Sequence, residues 1–206
     1  MTETNRRKFL MLAGTGVVVG LAGCSDETDP DSQREVRNPT LGDEDGVDLL
    51  VFEDLGCPAC ASYSLNIFEN LRRDYIETGE INYIFHDLVL PADSFSEEAH
   101  QVMRAVQDVE GEEAFWEFKM YIYENQNRLG WDLLEEAASE VSDETDEIIE
   151  RAQNREYLSV IEENGDLAEE YSIPGTPGFH MEGTTFESIQ SYSQLASQID
   201  AAMRDA

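Results

Sequence analysis

Four consecutive residues, Cys57-Pro58-Ala59-Cys60, hold the side chains of this sequence that are best suited to chemistry. They follow the apolar run Leu49-Leu50-Val51-Phe52, which predicts a strand that leads through a turn into a helix. A thiolate at the N-cap of a helix faces free backbone N–H groups and the positive end of the helix dipole, so the pKa of Cys57 should fall. Pro58 suits the first helical position, and Cys60 lies one turn later on the same face. The spacing therefore predicts thiol–disulfide exchange.

Two other interpretations of this tetrad are a zinc half-site and an inert structural disulfide. Zinc would need two further ligands. His86, His100 and His180 are scattered without ligand spacing, and the only other cysteine is Cys24. Both alternatives stay open from the residues alone, although the sequence predicts no metal site.

The N-terminus has the features of an export signal, because the basic residues Arg6, Arg7 and Lys8 precede a short uncharged stretch from 11 to 23. The paired arginines resemble a twin-arginine signal, and Leu21-Ala22-Gly23-Cys24 resembles a lipoprotein cleavage box. Residues 1–23 are therefore predicted to be the signal, and Cys24 the lipidated N-terminus on the outer face of the cytoplasmic membrane. The alternative is an ordinary N-terminal anchor with an incidental cysteine. An extracytoplasmic location is also where disulfides persist.

Acidic residues dominate the composition, with 45 Asp and Glu against 13 Lys and Arg and a formal net charge of −32. They are spread over the whole chain, which indicates a solvated surface. At molar salt the screening length falls to about 3 Å, so the repulsion between them becomes tolerable. We therefore expect a protein from a halophile-like acidic proteome. Nucleic acid is disfavoured as a partner, because phosphate binding needs cationic side chains.

The polar composition of residues 24–45 predicts an acidic disordered tether ahead of one domain at 46–206. In that domain the helix that begins at Cys57 is expected to run to about Thr78, with Leu65, Phe68 and Leu71 on one apolar face. A strand follows at 81–89, then a long helical stretch, a hairpin at Glu182-Gly183 and a last helix. The order predicts an α/β fold with a helical insertion at about 91–173.

Several segments resemble the DsbA-like branch of the thioredoxin superfamily. They are Leu41–Asp45, Phe52–Cys60, Ala114–Trp116 and Tyr171–Pro177, of which the second is similar to the family's Phe-x-Asp-x-x-Cys-Pro-x-Cys and the last to its cis-proline loop. The resemblance implies a thioredoxin-like fold, with Cys57 as the attacking cysteine, Cys60 as its buried resolving partner and Pro177 as the cis-proline that faces them. It also implies that the Thr176 backbone pairs with an extended substrate.

Two positions depart from the family's pattern. Val51 stands where the family often has a buried acid six residues before the first cysteine, and Ala59 stands where strongly oxidising members have histidine. Glu53 or Asp54 could replace the missing acid, but we expect both to be surface or turn carboxylates. The direction of exchange therefore stays open, since it depends on how well each redox state is stabilised.

Together these features predict an extracytoplasmic, membrane-anchored thiol–disulfide oxidoreductase without a metal or organic cofactor. Its expected partners are the thiols and disulfides of exported proteins and a redox partner that resets the dithiol. The alternative is a metallochaperone or redox-assembly module that uses the dithiol to bind copper or a partner protein.

Overall fold

A five-stranded mixed sheet forms the centre of the computed structural model, which describes residues 33–90 and 95–205. The strands are β1 Thr40–Gly42, β2 Val47–Glu53, β3 Ile81–Asp87, β4 Gly178–Met181 and β5 Thr184–Phe186, in the spatial order β1-β3-β2-β4-β5. β2 and β3 are parallel, and every other neighbouring pair is antiparallel.

The apolar run that the sequence marks as a strand is the middle of β2, the central strand. Leu49, Val51 and Phe52 are completely buried there. At the carboxyl end of β2, Phe52 pairs with His86 of β3 on one side and with Gly178 of β4 on the other. The start of β4 therefore lies beside the residues that follow β2 along the chain.

Eight α-helices surround this sheet in the described parts of the chain. They are α1 Pro58–Asn66, α2 Phe68–Leu71, α3 Ser96–Glu110, α4 Glu112–Glu124, α5 Trp131–Val141, α6 Thr145–Gln153, α7 Leu158–Glu170 and α8 Tyr192–Asp205. Five of them, α3 to α7, lie between β3 and β4 in the sequence. The α/β architecture with a helical insertion agrees with the prediction.

Both faces of the sheet are covered by helices. Tyr83 of β3 contacts Phe68 of α2 and Trp116 of α4, whereas His86 of the same strand contacts Asn164 of α7. Because side chains alternate along a strand, these helices lie on opposite faces. Helix α2 and helix α4 of the insertion therefore share one face of the sheet, and α7 of the insertion covers the other.

The helix that begins after Cys57 is not continuous to Thr78, as the sequence predicts. It breaks at Ile67, whose φ of −116° departs from helical geometry, and a turn of π-helix at Arg72–Ile76 follows α2. The break changes the phase of the buried face. Ile67 and Leu71 are buried, whereas Leu65 is 43% exposed, so the prediction that Leu65 belongs to the apolar face is wrong.

The prediction of a disordered tether is wrong for residues 33–45. Arg34 N–H donates to the Glu156 carbonyl at 2.6 Å, Gln33 bonds both to the Arg155 carbonyl and to Ser159 N–H, and residues 40–42 form β1. Backbone and amide hydrogen bonds fix this segment, although it has few apolar side chains to bury. The rest of the predicted tether, the signal and Cys24 lie outside the described residues. Among the described helices, none is long and apolar enough to cross a membrane.

Candidate active site

Cys57 stands where β2 passes through a short turn into α1. It is the N-cap of α1, with extended backbone angles of φ −81° and ψ 118°, and Pro58 is the first helical residue, as the sequence predicts. Asp54 closes the turn, because its carbonyl accepts Cys57 N–H at 3.0 Å and its Oδ1 accepts Gly56 N–H at 2.8 Å. We call residues 54–57 the catalytic turn.

The two thiols of the tetrad differ in exposure and acidity. Cys57 is partly buried and Cys60 fully buried, and both are free thiols in this structure. A hydrogen bond from the Cys60 thiol, together with the backbone N–H groups of Cys60 and Ala59, lowers the pKa of Cys57 to about 5, although burial opposes the shift. Cys57 is therefore a thiolate at neutral pH.

Cys60 has the opposite shift. Burial, the hydrogen bond to Cys57 and the negative charge of Glu53 all raise the pKa of Cys60 well above the ordinary value for a thiol. Cys60 thus keeps its proton and donates it toward the Cys57 thiolate. The tetrad thus combines a partly exposed nucleophile, Cys57, with a buried proton donor, Cys60.

The loop before β4 brings Thr176 and Pro177 to the same place. The Thr176–Pro177 peptide bond is cis, and the Thr176 carbonyl oxygen lies 3.4 Å from Cys57 Sγ. The loop folds tightly against the first residue of β4, since a Cβ on Gly178 would lie 2.3 Å from Ile173 Cγ2 and 2.8 Å from the Gly175 carbonyl oxygen. The structure thus places Thr176, the residue before the cis-proline, next to Cys57.

The expectation that Glu53 and Asp54 are surface or turn carboxylates is wrong in its first part, because both are buried, with 0% and 2% exposure. Asp54 does belong to the turn. Glu53, the last residue of β2, accepts four hydrogen bonds. These bonds stabilise the charged carboxylate, which would otherwise be costly to bury. The donors are Lys119 Nζ at 2.5 Å and Tyr83 OH at 2.8 Å on Oε1, and Tyr123 OH at 2.9 Å and Ser64 Oγ at 3.1 Å on Oε2.

Lys119 of α4 supplies the positive charge that pairs with Glu53. Its side chain is buried, and Nζ lies 5.0 to 5.9 Å from the centroids of five aromatic rings, which favours the cation. Lys119 has no role among the predictions made from the sequence. The available signal was a lysine at the third position after Trp116, within an apolar helical stripe, in a chain that has only one other lysine, Lys8.

A second buried carboxylate, Asp87, lies at the end of β3. Arg104 donates to its Oδ2 at 2.9 and 2.5 Å, Asn164 donates to the same oxygen at 2.8 Å, and His100 Nδ1 lies 2.6 Å from Oδ1. Burial opposes ionisation of this group, but the charge of Arg104 and the bond from His100 outweigh it and lower the pKa of Asp87. His100 Nε2 accepts Leu55 N–H at 3.2 Å, so this cluster reaches the catalytic turn.

Gln126 also contacts the catalytic turn, from a turn of 3₁₀-helix after α4. Its Nε2 donates to the carbonyl oxygens of Leu55 at 2.8 Å and of Cys57 at 3.0 Å. No sequence pattern predicts a role for Gln126, and His100 stands in the sequence only as one of three scattered histidines. These contacts join residues that are 45 to 71 positions apart, so no local pattern could have indicated them.

The described parts of the chain contain no group of three or more His, Cys, Asp and Glu side chains that is placed to hold a metal ion. The zinc interpretation therefore gains no support from these residues. Val51, at the position of the family's acid, is completely buried in the core. Ala59 is exposed between the two cysteines.

Comparison with known proteins finds relatives over most of the chain. "Disulfide bond formation protein D" of Bacillus subtilis (strain 168) is 22% identical over 175 residues, which are 81% of this chain and 77% of that protein. A "Probable disulfide bond formation protein D" of Bacillus anthracis is 24% identical over 178 residues, with 80% and 78% covered.

Solved structures share the fold. The crystal structure of oxidised BdbD from Bacillus subtilis matches with a TM-score of 0.73 and 22% identity, and the match covers 81% of this chain and 93% of the BdbD chain. Chlamydia trachomatis DsbA matches with a TM-score of 0.69 and 17% identity, with 81% and 92% covered. The predicted thioredoxin-like fold with a helical insertion is therefore confirmed. A family profile described as "Thioredoxin" matches residues 35–201, and since this is most of the sequence, the chain belongs to the thioredoxin family.

Proposed function

We propose that this protein is an extracytoplasmic thiol–disulfide oxidoreductase that exchanges disulfides with exported proteins through a mixed disulfide at Cys57. One observation carries the proposal: a partly exposed thiolate with a pKa of about 5 stands at the N-terminus of α1, against a buried, protonated Cys60. A low thiol pKa in a Cys-x-x-Cys sequence at a helix N-terminus is the arrangement that dithiol–disulfide exchange requires. The electrons move between sulfur atoms, so the reaction needs no metal or organic cofactor.

In the oxidising direction, a substrate thiolate attacks Cys57 Sγ of the Cys57–Cys60 disulfide. The bond between the two enzyme sulfurs breaks, and Cys60 leaves with the electron pair and takes up a proton. A second substrate thiolate then attacks the substrate sulfur of the mixed disulfide, and Cys57 leaves as a thiolate. The substrate gains a disulfide, the enzyme gains two electrons, and a redox partner must remove them for the next cycle.

We favour this direction because of the acidity of Cys57. A thiol of low pKa leaves quickly, and its stable thiolate favours the reduced enzyme over the disulfide, which makes the disulfide an oxidant. The names of the relatives, "Disulfide bond formation protein D", agree with oxidation of substrates. Reduction or isomerisation would use the same two cysteines.

Glu53 is proposed to assist the proton transfers of Cys60. It is completely buried, and its charge raises the pKa of the Cys60 thiol, so it favours proton uptake when Cys60 leaves. Its position four residues before Cys57 differs from that of the acid in the family pattern, where this chain has Val51.

The location of the protein is proposed from its N-terminal sequence. The twin-arginine and cleavage-box features of residues 1–24 support export and lipid attachment at Cys24, on the outer face of the cytoplasmic membrane. The net charge of −32 supports work at high salt, where acidic side chains repel one another over shorter distances. Exchange assays should therefore be carried out in molar salt.

Three single variants test the proposed function. In a high-salt assay with a reduced peptide substrate, Cys57→Ser should abolish exchange, and Cys60→Ser should accumulate mixed disulfides at Cys57. Cys24→Ser is the matched control, which should keep full exchange activity and lose membrane attachment. Full activity of Cys57→Ser would overturn the proposal, and copper bound stoichiometrically by the purified reduced protein would favour the metallochaperone alternative.

A further inference from the structure

The helical insertion does more than cover the sheet, because it donates side-chain hydrogen bonds to the catalytic turn. We propose that Gln126 is a positioning residue for disulfide exchange: its side-chain amide holds the carbonyls of Leu55 and Cys57, and so keeps Cys57 Sγ at the N-terminus of α1. This inference rests on the proposed function, since it concerns the acidity of the same thiol.

The geometry is that of one amide group that bridges two carbonyls. Gln126 Nε2 lies 2.8 Å from Leu55 O and 3.0 Å from Cys57 O, so each of its two hydrogens has an acceptor. The Cys57 carbonyl also accepts Ala61 N–H at 3.2 Å, one of the first hydrogen bonds of α1. Gln126 therefore binds the N-cap residue from outside the helix.

Three backbone N–H groups of the catalytic turn have hydrogen-bond partners other than Gln126. The Asp54 side chain and carbonyl bind Gly56 N–H and Cys57 N–H within the turn itself. Leu55 N–H is bound by His100 Nε2, which can accept only if the ring hydrogen is on Nδ1, where it is donated to Asp87. Gln126 is thus the donor that the insertion supplies to the carbonyls of Leu55 and Cys57.

Two effects connect this contact to the thiolate. A carbonyl oxygen carries partial negative charge, and a hydrogen bond from Gln126 compensates part of it beside the Cys57 sulfur. The bond also restricts the turn that aims the backbone N–H groups of Ala59 and Cys60 at that sulfur, and these groups stabilise the thiolate. Loss of the amide should weaken both effects and disfavour the ionised form.

Asn125, the preceding residue, offers a matched control. Its side-chain amide also donates to a backbone carbonyl, but the acceptor is Tyr121 O at 3.0 Å, within its own helix. The variants Gln126→Met and Asn125→Ala therefore each remove one side-chain amide just after α4, and only the first removes contacts to the catalytic turn. Gln126→Ala repeats the test without the bulk of methionine.

The readout is the pH dependence of alkylation of Cys57 by iodoacetamide in the reduced protein, measured in molar salt together with the unfolding midpoint. Gln126→Met and Gln126→Ala should raise the pKa of Cys57 by about 0.5 to 1 unit and lower the equilibrium constant for oxidation of glutathione by about 3- to 10-fold. Asn125→Ala should leave both at the parent values.

The proposal would be overturned if the folded Gln126 variants titrated like the parent, or if Asn125→Ala shifted the pKa of Cys57 by the same amount. The alkylation midpoint can be measured without any protein substrate. A parent protein that exchanged no disulfides would therefore overturn the proposed function. The positioning role of Gln126 would still be decided by the difference in alkylation midpoint between the parent and the Gln126 variants.

Discussion

Two buried carboxylates lie within reach of the catalytic turn, and each is paired with a cation from the helical insertion. Glu53, beneath Cys60, is held by Lys119 of α4 and by three hydroxyl groups. Asp87, at the end of β3, is held by Arg104 of α3, with His100 and Asn164. Both carboxylates are completely buried, but their surroundings differ in kind.

This difference distinguishes Glu53, which acts on a reactive thiol, from Asp87, which stabilises the fold. The Arg104 guanidinium binds Asp87 with two nitrogens and cannot lose its proton in a protein. Lys119 binds Glu53 with one nitrogen, three hydroxyl groups complete the contacts of this carboxylate, and Glu53 acts on the ionisation of a neighbouring thiol. We therefore assign Asp87 to the stability of the turn, and Glu53 to the chemistry of Cys60.

The largest effect is expected when Asp87 is neutralised. Asp87→Asn leaves the buried Arg104 without its counter-charge, which should lower the free energy of unfolding by about 3 to 5 kcal/mol. Denaturant unfolding in molar salt measures this. The rate of exchange per folded molecule should change much less than stability, and the reverse result would place Asp87 in the chemistry.

A smaller loss of stability is expected for Glu53→Gln, about 2 to 3 kcal/mol, because the three hydroxyl groups around this side chain can donate to, or accept from, the amide that replaces the carboxylate. The same change removes the negative charge beside Cys60 and should lower the pKa of that thiol. Alkylation of Cys60 against pH in a Cys57→Ser background measures the shift. If Glu53→Gln left the titration of Cys60 unchanged, Glu53 would be as structural as Asp87.

Removal of both members of the Glu53–Lys119 pair should cost the least stability of these changes. In Glu53→Gln with Lys119→Met no buried charge is left unpaired, so the free energy of unfolding should lie within about 1 kcal/mol of the parent. The altered titration of Cys60 should remain, since Glu53 is still absent. Return of the parent titration in the double variant would mean that Lys119, and not Glu53, controls the thiol.

The thiolate itself gives the most gradual effect, because its contribution to stability changes over several pH units. Its pKa is lowered on folding, so the stability it contributes is complete above the unfolded value of about 8.5 and is lost as the pH falls through about 5. The free energy of unfolding of the reduced protein, compared with that of Cys57→Ser, should rise from pH 5 to pH 9. A difference that is constant over this range would show that Cys57 titrates normally.

Much of this arrangement could be predicted from the sequence, because its signals are local. The apolar run of β2, the Cys-Pro-Ala-Cys tetrad and the glycine of the hairpin at Glu182-Gly183, where both residues have positive φ, mark their own elements. β1 was missed, since a three-residue edge strand in a polar segment has no periodicity to detect.

The polar surroundings of the site could not be predicted in the same way. Glu53 and Asp54 follow the apolar run 49–52, a position where exposed carboxylates are the usual case. Residues from distant parts of the chain cover both side chains, and this packing leaves no local pattern in the sequence. Glu53 and its partner Lys119 are 66 positions apart in the sequence, and Leu55 and its partner Gln126 are 71 positions apart. Pairings of this kind depend on how the insertion packs against α1, which periodicity does not encode.

The central claim, that Cys57 is the reactive thiolate of an exchange site, is tested most directly by the thiolate absorbance of the reduced protein at 240 nm, recorded against pH in molar salt, with Cys57→Ser as the blank. The structure predicts one thiol that titrates with a pKa of about 5 and is absent from the blank. A single titration near 8.5, the value of an unperturbed cysteine, would contradict it.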